Sequence, residues 1–184
     1  MEETSLSQIV NVKAQLMTED SFRPYGALLA PRPGPADFRG LNSDGWKTPF
    51  EIHGVPELMV LKSRFSGMRF TRLERHFQVA QTFIPLGHVA ALVAVAEPST
   101  DPGAIPEPED VKAFVVDGSC GYVLKPGTWH SLDRYPLYDA ESIIVIITSH
   151  ETQVELESAA QVAWRLTEDV DYATRFGITF ELSA

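Results

Sequence analysis

A single cysteine, Cys120, stands in a chain of 184 residues, so no internal disulfide can form and cysteine usage gives no argument for secretion. Cations are scarce as well: 15 Lys and Arg against 25 Asp and Glu leave a formal net charge of −10. No Lys/Arg cluster supplies the face that displaces counterions from a nucleic acid, and an anionic membrane surface is excluded on the same ground. A small anion is not excluded, because one buried arginine can override the net charge locally. Long apolar runs are missing too. The longest, VAALVAVA (89–96) and IIVII (143–147), fall far short of the roughly 20 residues of a membrane span. The opening MEETSLSQIVNVKAQL lacks the basic stretch and apolar run of a signal peptide. There is no internal repeat and no low-complexity tract. A soluble cytoplasmic protein is expected, with 44% hydrophobic residues to fill a core and a length suited to one domain.

What is present is mostly strand signal. TEDSFRPYG (18–26) predicts a short helix with Thr18 as N-cap, acidic Glu19 and Asp20 in its first turn, and Gly26 as its stop. APRPGPADFRG (30–40) is a Pro/Gly loop, and a turn is expected at Asp44-Gly45. Strands are then predicted at ELMVLKSRF (57–65), MRFTRLERH (68–76), QTFIPL (81–86) and HVAALVAVAE (88–97). A proline-rich loop, PSTDPGAIPEPED (98–110), follows, and PEDVKAFVVDG (108–118) reads equally well as helical turns or as a strand. GYVLKPGTWH, ESIIVIITS, VAWRLT and residues 178–182 complete the strand set. Many short strands at regular spacing predict an all-β sandwich or barrel.

Side chains alternate faces along a strand. In MRFTRLERH, Met68, Phe70, Arg72, Glu74 and His76 share one face, which begins apolar and ends ionisable, like a strand running from a barrel floor to its mouth. The plain alternative is that this end of the strand is simply wet. Gln81 shares a face with Phe83 and Pro85. In PGTWH (126–130) a turn needs only Pro126-Gly127; Trp129 is large enough to demand burial, and His130 then points to the opposite face. His53, His88 and His150 have no partners at useful spacing and read as structural or surface residues.

Gly121 followed by Pro126-Gly127-Thr128-Trp129-His130 resembles the second cupin motif, and ERHFQVAQTFIPLG (74–87) occupies the place of the first. LERHFQVAQTFIPL with GTWH, together with LMTEDSFRPYGALL near the start, resembles the ureidoglycolate lyase family, once called ureidoglycolate hydrolases, over about 14–147. The resemblance implies a cupin barrel (a double-stranded β-helix, or jelly roll) with a few short helices. It implies that residues 1–184 form a single cupin domain, with a C-terminal extension over about 150–184, and that the protein is a homodimer. It also implies cleavage of (S)-ureidoglycolate to glyoxylate and urea, a step of allantoin degradation in purine metabolism, and places Glu74, His76, Gln81 and His130 around one cavity. Departures are visible. Ser131 stands where many members carry a second His, extra residues precede Pro136, Leu124 stands where many carry a Tyr, and the tail is longer than usual.

Ureidoglycolate is a hemiaminal, so its cleavage needs a base for the hydroxyl proton and an acid for the departing urea nitrogen. His130 and His76 are the natural proton-transfer groups, and Glu74 either orients a histidine or acts as base itself. Arg72 or Arg64 is a candidate fork for the carboxylate, Lys125 an alternative cation, and Gln81 and Trp129 further substrate contacts. The same Glu74, His76, Gln81 and His130 also suit a divalent metal, Mn, Ni, Fe or Zn, although Glu74-x-His76 replaces the His-x-His of ordinary metal cupins. Three readings remain open beside the lyase: a diverged lyase, isomerase or epimerase for another small hydroxy or amino acid, a non-catalytic small-molecule-binding cupin, and a hydrogen-bonded polar plug.

Overall fold

The computed structural model describes residues 8–158 and 165–184. In chain order these form β1 (Gln8–Leu16), α1 (Glu19–Phe22), β2 (Gly26–Leu29), β3 (Phe38–Arg39), β4 (Asp44–Gly45), β5 (Pro56–Arg64), β6 (Arg69–Phe70), β7 (Arg72–His76), β8 (Thr82–Leu86) and β9 (Ala91–Ala96). There follow β10 (Lys112–Val116), β11 (Gly121–Leu124), β12 (Trp129–Ser131), β13 (Tyr135–Pro136), β14 (Glu141–Ser149), α2 (His150–Glu157), β15 (Thr167–Asp171), α3 (Tyr172–Phe176) and β16 (Ile178–Ser183). With 47% strand and 12% helix, the protein is all-β and cupin-like. Among the described residues no helix is long and apolar enough to cross a membrane.

The strands build a five-stranded sheet, β2-β11-β8-β14-β5, facing a nine-stranded one, β15-β7-β12-β9-β10-β1-β16-β6, with β13 branching from β9. In the larger sheet β7 lies near one end and β6 at the other, yet only Thr71 separates them in the chain. The sheet therefore curls until its ends approach, and MRFTRLERH is two strands rather than one. The curl explains the apolar run of β9, which is buried on both faces. Val93 and Val95 pack between the two sheets with Phe83, Tyr122, Leu124 and Ile146. Leu92, Ala94 and Ala96 pack inside the curl with Leu73, Trp129, Val170, Tyr172 and Phe180. A strand covered on both sides loses polar alternation.

Local expectations meet the structure at several points. Thr18 caps α1 as predicted, but the helix ends at Phe22, and Gly26 opens β2. There a Cβ would meet the Val123 carbonyl oxygen at 1.9 Å, so Gly26 is required by strand approach, not by helix termination. Asp44-Gly45 is not a turn but a strand paired with Phe38–Arg39; the turn lies between them, closed by Gly40 N–H donating to the Ser43 carbonyl. The ambiguous segment 108–118 is a single 3-10 turn at Pro108–Asp110 followed by β10. The predicted strand VAWRLT falls partly outside the described residues, and β15 begins only at Thr167. The C-terminal extension supplies β15 and β16, which pair with β7, β1 and β6. It therefore builds a wall of the curled sheet.

Candidate active site

Pro126-Gly127 closes a type II turn: Thr128 N–H donates to the Lys125 carbonyl at 3.1 Å, and Gly127 takes φ 81°, as position i+2 of that turn requires. The turn launches β12 against both β7 and β9, with His130 opposite Glu74 on one side and Val95 on the other. Val95 belongs to the core between the sheets, so Glu74 and His130 face that interior as well. Alternation sends Trp129 and Ser131 to the inside of the curl, where Ser131 stands opposite Leu73. Ser131 Oγ accepts from Ala94 N–H and donates to the Asp133 carbonyl, which is a structural role.

Glu74 Oε1 lies 3.7 Å from His76 Nε2 and 3.8 Å from His130 Nδ1, and the two imidazole centroids are 5.2 Å apart. The rings are buried, and the Glu74 side chain is only 13% exposed. Burial drags His130 well below the usual imidazole range, with His76 and Arg134 adding to the effect. Burial pulls His76 down to about 4. Both rings are therefore neutral at pH 7. Glu74 moves the other way, pushed up to about 7 first by burial and then by the neighbouring Asp169, against the pull of Arg134 and Arg72. The site couples two neutral imidazoles to a carboxyl poised near neutrality.

The hydrogen bonds leave one nitrogen of each ring without a partner. His130 Nδ1 lies 3.2 Å from the Ser131 carbonyl; a carbonyl can only accept, so Nδ1 carries the proton and Nε2 holds a lone pair. His76 Nδ1 is tied to Thr167 Oγ1 at 3.0 Å. Nε2 of both rings and Oε1 of Gln81 are buried without partners. Such groups are uncommon in a folded interior and call for a ligand. One ligating atom each from Glu74, His76 and His130 lies within 4.8 Å of the others. Two neutral imidazoles, each with an open Nε2, and a carboxylate whose ligating atoms cluster this closely are the donor types of a divalent-metal site, so the residues fit a metal ion.

The other residues singled out from the sequence lie in different surroundings. Arg72 sits beside Glu74 but already forms a fork onto Asp169, at 3.1 and 2.5 Å. Arg64 is exposed at the end of β5, opposite Glu141. Lys125 turns away to donate to the Arg23 and Pro24 carbonyls and lines a surface cavity of about 450 Å³ with Phe50 and Pro126. Trp129 packs under the Arg75 guanidinium. Gln81 is buried two residues before Phe83, whose ring lies 6.1 Å from that of His130. His53 and His88 are exposed, and His150 pairs with Glu57 at the surface. Three neighbours went unforeseen. Asp169 and Thr167 come from the tail, and Arg134 comes from the segment that reads as an insertion after PGTWH. Only an arginine placed four residues after the motif histidine hinted at the last.

Comparison with known proteins agrees with this geometry. A family model described as ureidoglycolate lyase matches residues 9–165, a wider span than the motifs alone cover. A ureidoglycolate lyase of Pseudomonas aeruginosa is 30% identical over 129 residues, covering 65% of this chain and 73% of that protein. A ureidoglycolate lyase of Azotobacter vinelandii is 30% identical over 95 residues, covering 52% of this chain and 55% of its own length. With the family model matching residues 9–165 and relatives of that name at 30% identity, the chain belongs to the ureidoglycolate lyase family, a family of enzymes.

Proposed function

We propose that the protein is a carbon–nitrogen lyase that cleaves (S)-ureidoglycolate to glyoxylate and urea. The observation that carries this reading is the buried Glu74/His76/His130 cluster with Nε2 of both rings unpartnered. In the ionised form Glu74 takes the hydroxyl proton of the hemiaminal. The C–O bond becomes C=O, the C–N bond breaks with its electron pair going to nitrogen, and Glu74 returns the proton to that nitrogen as urea leaves. A group near pKa 7 suits both halves of such a transfer. His76 and His130 stay neutral; the Nε2 lone pair of His130 accepts a hydrogen bond from a substrate O–H or N–H group, and the open Nε2 of His76 offers a second polar contact. A divalent ion held by Glu74, His76 and His130, whether Mn, Ni, Fe or Zn, would add Lewis-acid polarisation of the substrate oxygens.

Two of the departures from the usual family motif, at Leu124 and Ser131, do not favour another substrate. Leu124 is buried in the core between the sheets, and Ser131 faces away from Glu74. The test is glyoxylate release from racemic ureidoglycolate by the purified protein, with one aliquot treated with chelator. Release from at most half the racemate is expected, and loss of activity on chelation would assign a metal role. No release, with or without added divalent ions, from demonstrably folded protein would overturn the lyase reading and favour a different hydroxy or amino acid.

We also read residues 1–184 as one cupin unit, because the tail pairs into the sheet, and we place the protein in the cytoplasm. A homodimer is proposed as well. The outer face of the five-stranded sheet exposes Leu58 (68%), Val60 (63%), Leu86 (45%) and Ile143 (38%), and β5 is one of the two edges of that sheet among the described residues. A contiguous apolar face of this kind marks an interaction surface. Sedimentation velocity should give a dimer for the parent protein and a monomer for Val60→Asp. A monomeric parent at micromolar concentration would rule out the dimer.

A further inference from the structure

Arg134 is 3% exposed and, among the described residues, is held by no carboxylate within ion-pair distance. Its Nε donates to Tyr122 Oη at 2.7 Å, and its Nη1 donates to the Ser131 and Asp133 carbonyls at 2.7 and 3.1 Å. Every one of these acceptors is neutral. Nη2 is buried and has no partner. The guanidinium sits over Phe83, with Cζ 4.1 Å from the ring centroid, and Phe83 stacks in turn on Tyr122. Held from below and along two edges, the group has one direction left to offer.

The Glu74/His76/His130 site adjoins this guanidinium. Arg134 Nη1 and His130 Nδ1 share the Ser131 carbonyl as acceptor, and Phe83 touches both Arg134 and His130. An unpaired buried cation is costly to fold around, and a guanidinium edge pre-organised in this way fits a carboxylate. Arg72 is already engaged by Asp169 and Arg64 is exposed, so neither offers a comparable buried, uncommitted edge. We infer that Arg134 binds the carboxylate of the substrate and selects short α-hydroxy or α-keto acids over their uncharged analogues. The inference rests on the lyase reading of this same site, in which the carboxylate is carried next to the hemiaminal carbon.

The experiment has a kinetic and a binding arm. With ureidoglycolate, Arg134→Gln raises KM roughly 100-fold with a smaller effect on kcat, because truncating one side of a buried, hydrogen-bonded charge pair removes most of its binding energy. Arg134→Lys restores part of the loss. Tyr122→Phe, which frees Nε without touching the charge, raises KM roughly three- to tenfold, as expected for one hydrogen bond. In calorimetry the parent binds glycolate more tightly than glycolamide, and Arg134→Gln loses that preference. If Arg134→Gln does not fold, Arg134→Lys and Tyr122→Phe carry the test. Unchanged KM in those variants, or an unchanged preference for glycolate over glycolamide, overturns the assignment to Arg134 while leaving the lyase reading standing. An anion preference that depends on Arg134, in a parent that does not cleave ureidoglycolate, supports the carboxylate site and overturns the lyase reading.

Discussion

Metal-free Glu74→Gln protein is expected to be more stable than the parent at pH 8 by about 3 kcal/mol and to release glyoxylate on the order of 10³-fold more slowly. The stability half follows from the raised acidity constant. Unfolded, the carboxyl ionises near 4.5, whereas in the folded protein it holds its proton up to about 7. Between those values the native state binds more protons than the unfolded chain, so its stability falls as pH rises, and the loss is complete above 7. Gln cannot ionise, so the variant matches the parent near pH 4.5 and exceeds it at pH 8. His76 works with the opposite sign. Unfolded it protonates near 6.5 but folded only near 4, so its contribution is intact above 6.5 and is lost as pH falls toward 4. From 4.5 to 6.5 Glu74 opposes His76, but His130, also held below its usual range by burial, adds to the His76 slope, so the stability of the parent rises with pH across that window. Urea melts with chelator present at pH 4.5, 6 and 8 check the pattern. A variant that is less stable than the parent at pH 8 would remove the idea of a buried carboxyl held against ionisation. Normal turnover in Glu74→Gln would remove Glu74 from proton transfer.

Arg75→Ala should cost about 3–5 kcal/mol without touching the reacting groups. Arg75 is fully buried on the opposite face of β7 from Glu74. Its Nε and Nη2 form a fork onto Glu168, Nη1 donates to the Ser99 carbonyl and Nη2 to the Asp101 carbonyl. Its guanidinium lies over Trp129 at 4.4 Å and Phe77 at 4.8 Å. One side chain thus ties the tail strand β15, the proline-rich loop 98–110 and the turn strand β12 together. Truncation leaves a cavity beside Trp129, takes a donor from the Ser99 and Asp101 carbonyls (the latter keeps Ala104 N–H), and leaves the Glu168 carboxylate without its cation. Amide exchange at Asp101, Gly103 and Ala104, which hold this loop through local bonds, should speed up together. A urea midpoint shift worth less than about 1 kcal/mol would place Arg75 among ordinary surface arginines, contrary to its burial.

How much of this was legible in the chain can be judged residue by residue. The strand periodicity and turn chemistry predicted the all-β barrel, and the spacing Glu74-x-His76 with Pro-Gly-x-Trp-His predicted both the face of His130 and the burial of Trp129. Those features are local: alternation decides which neighbours share a face, and Pro126-Gly127 decides where the strand starts. MRFTRLERH misled because its one alternating pattern serves two strands. Nothing within nine residues reveals that Thr71 joins opposite ends of a curled sheet. Arg75 disturbed that pattern as a charge on an apolar face, and it makes sense only with Glu168 from 93 positions further along the chain.

The amino-acid sequence by itself determined the fold class, through local periodicity, and its short motifs carried the family resemblance that pointed to Glu74, His76, Gln81 and His130. The tertiary structure alone decided that Arg134 rather than Arg72 keeps an uncommitted cationic edge beside them, that the tail builds the wall behind them, and that burial neutralises both histidines while raising Glu74. Charge balance and desolvation depend on which distant side chains meet in three dimensions, and register between strands far apart in the chain sets those meetings.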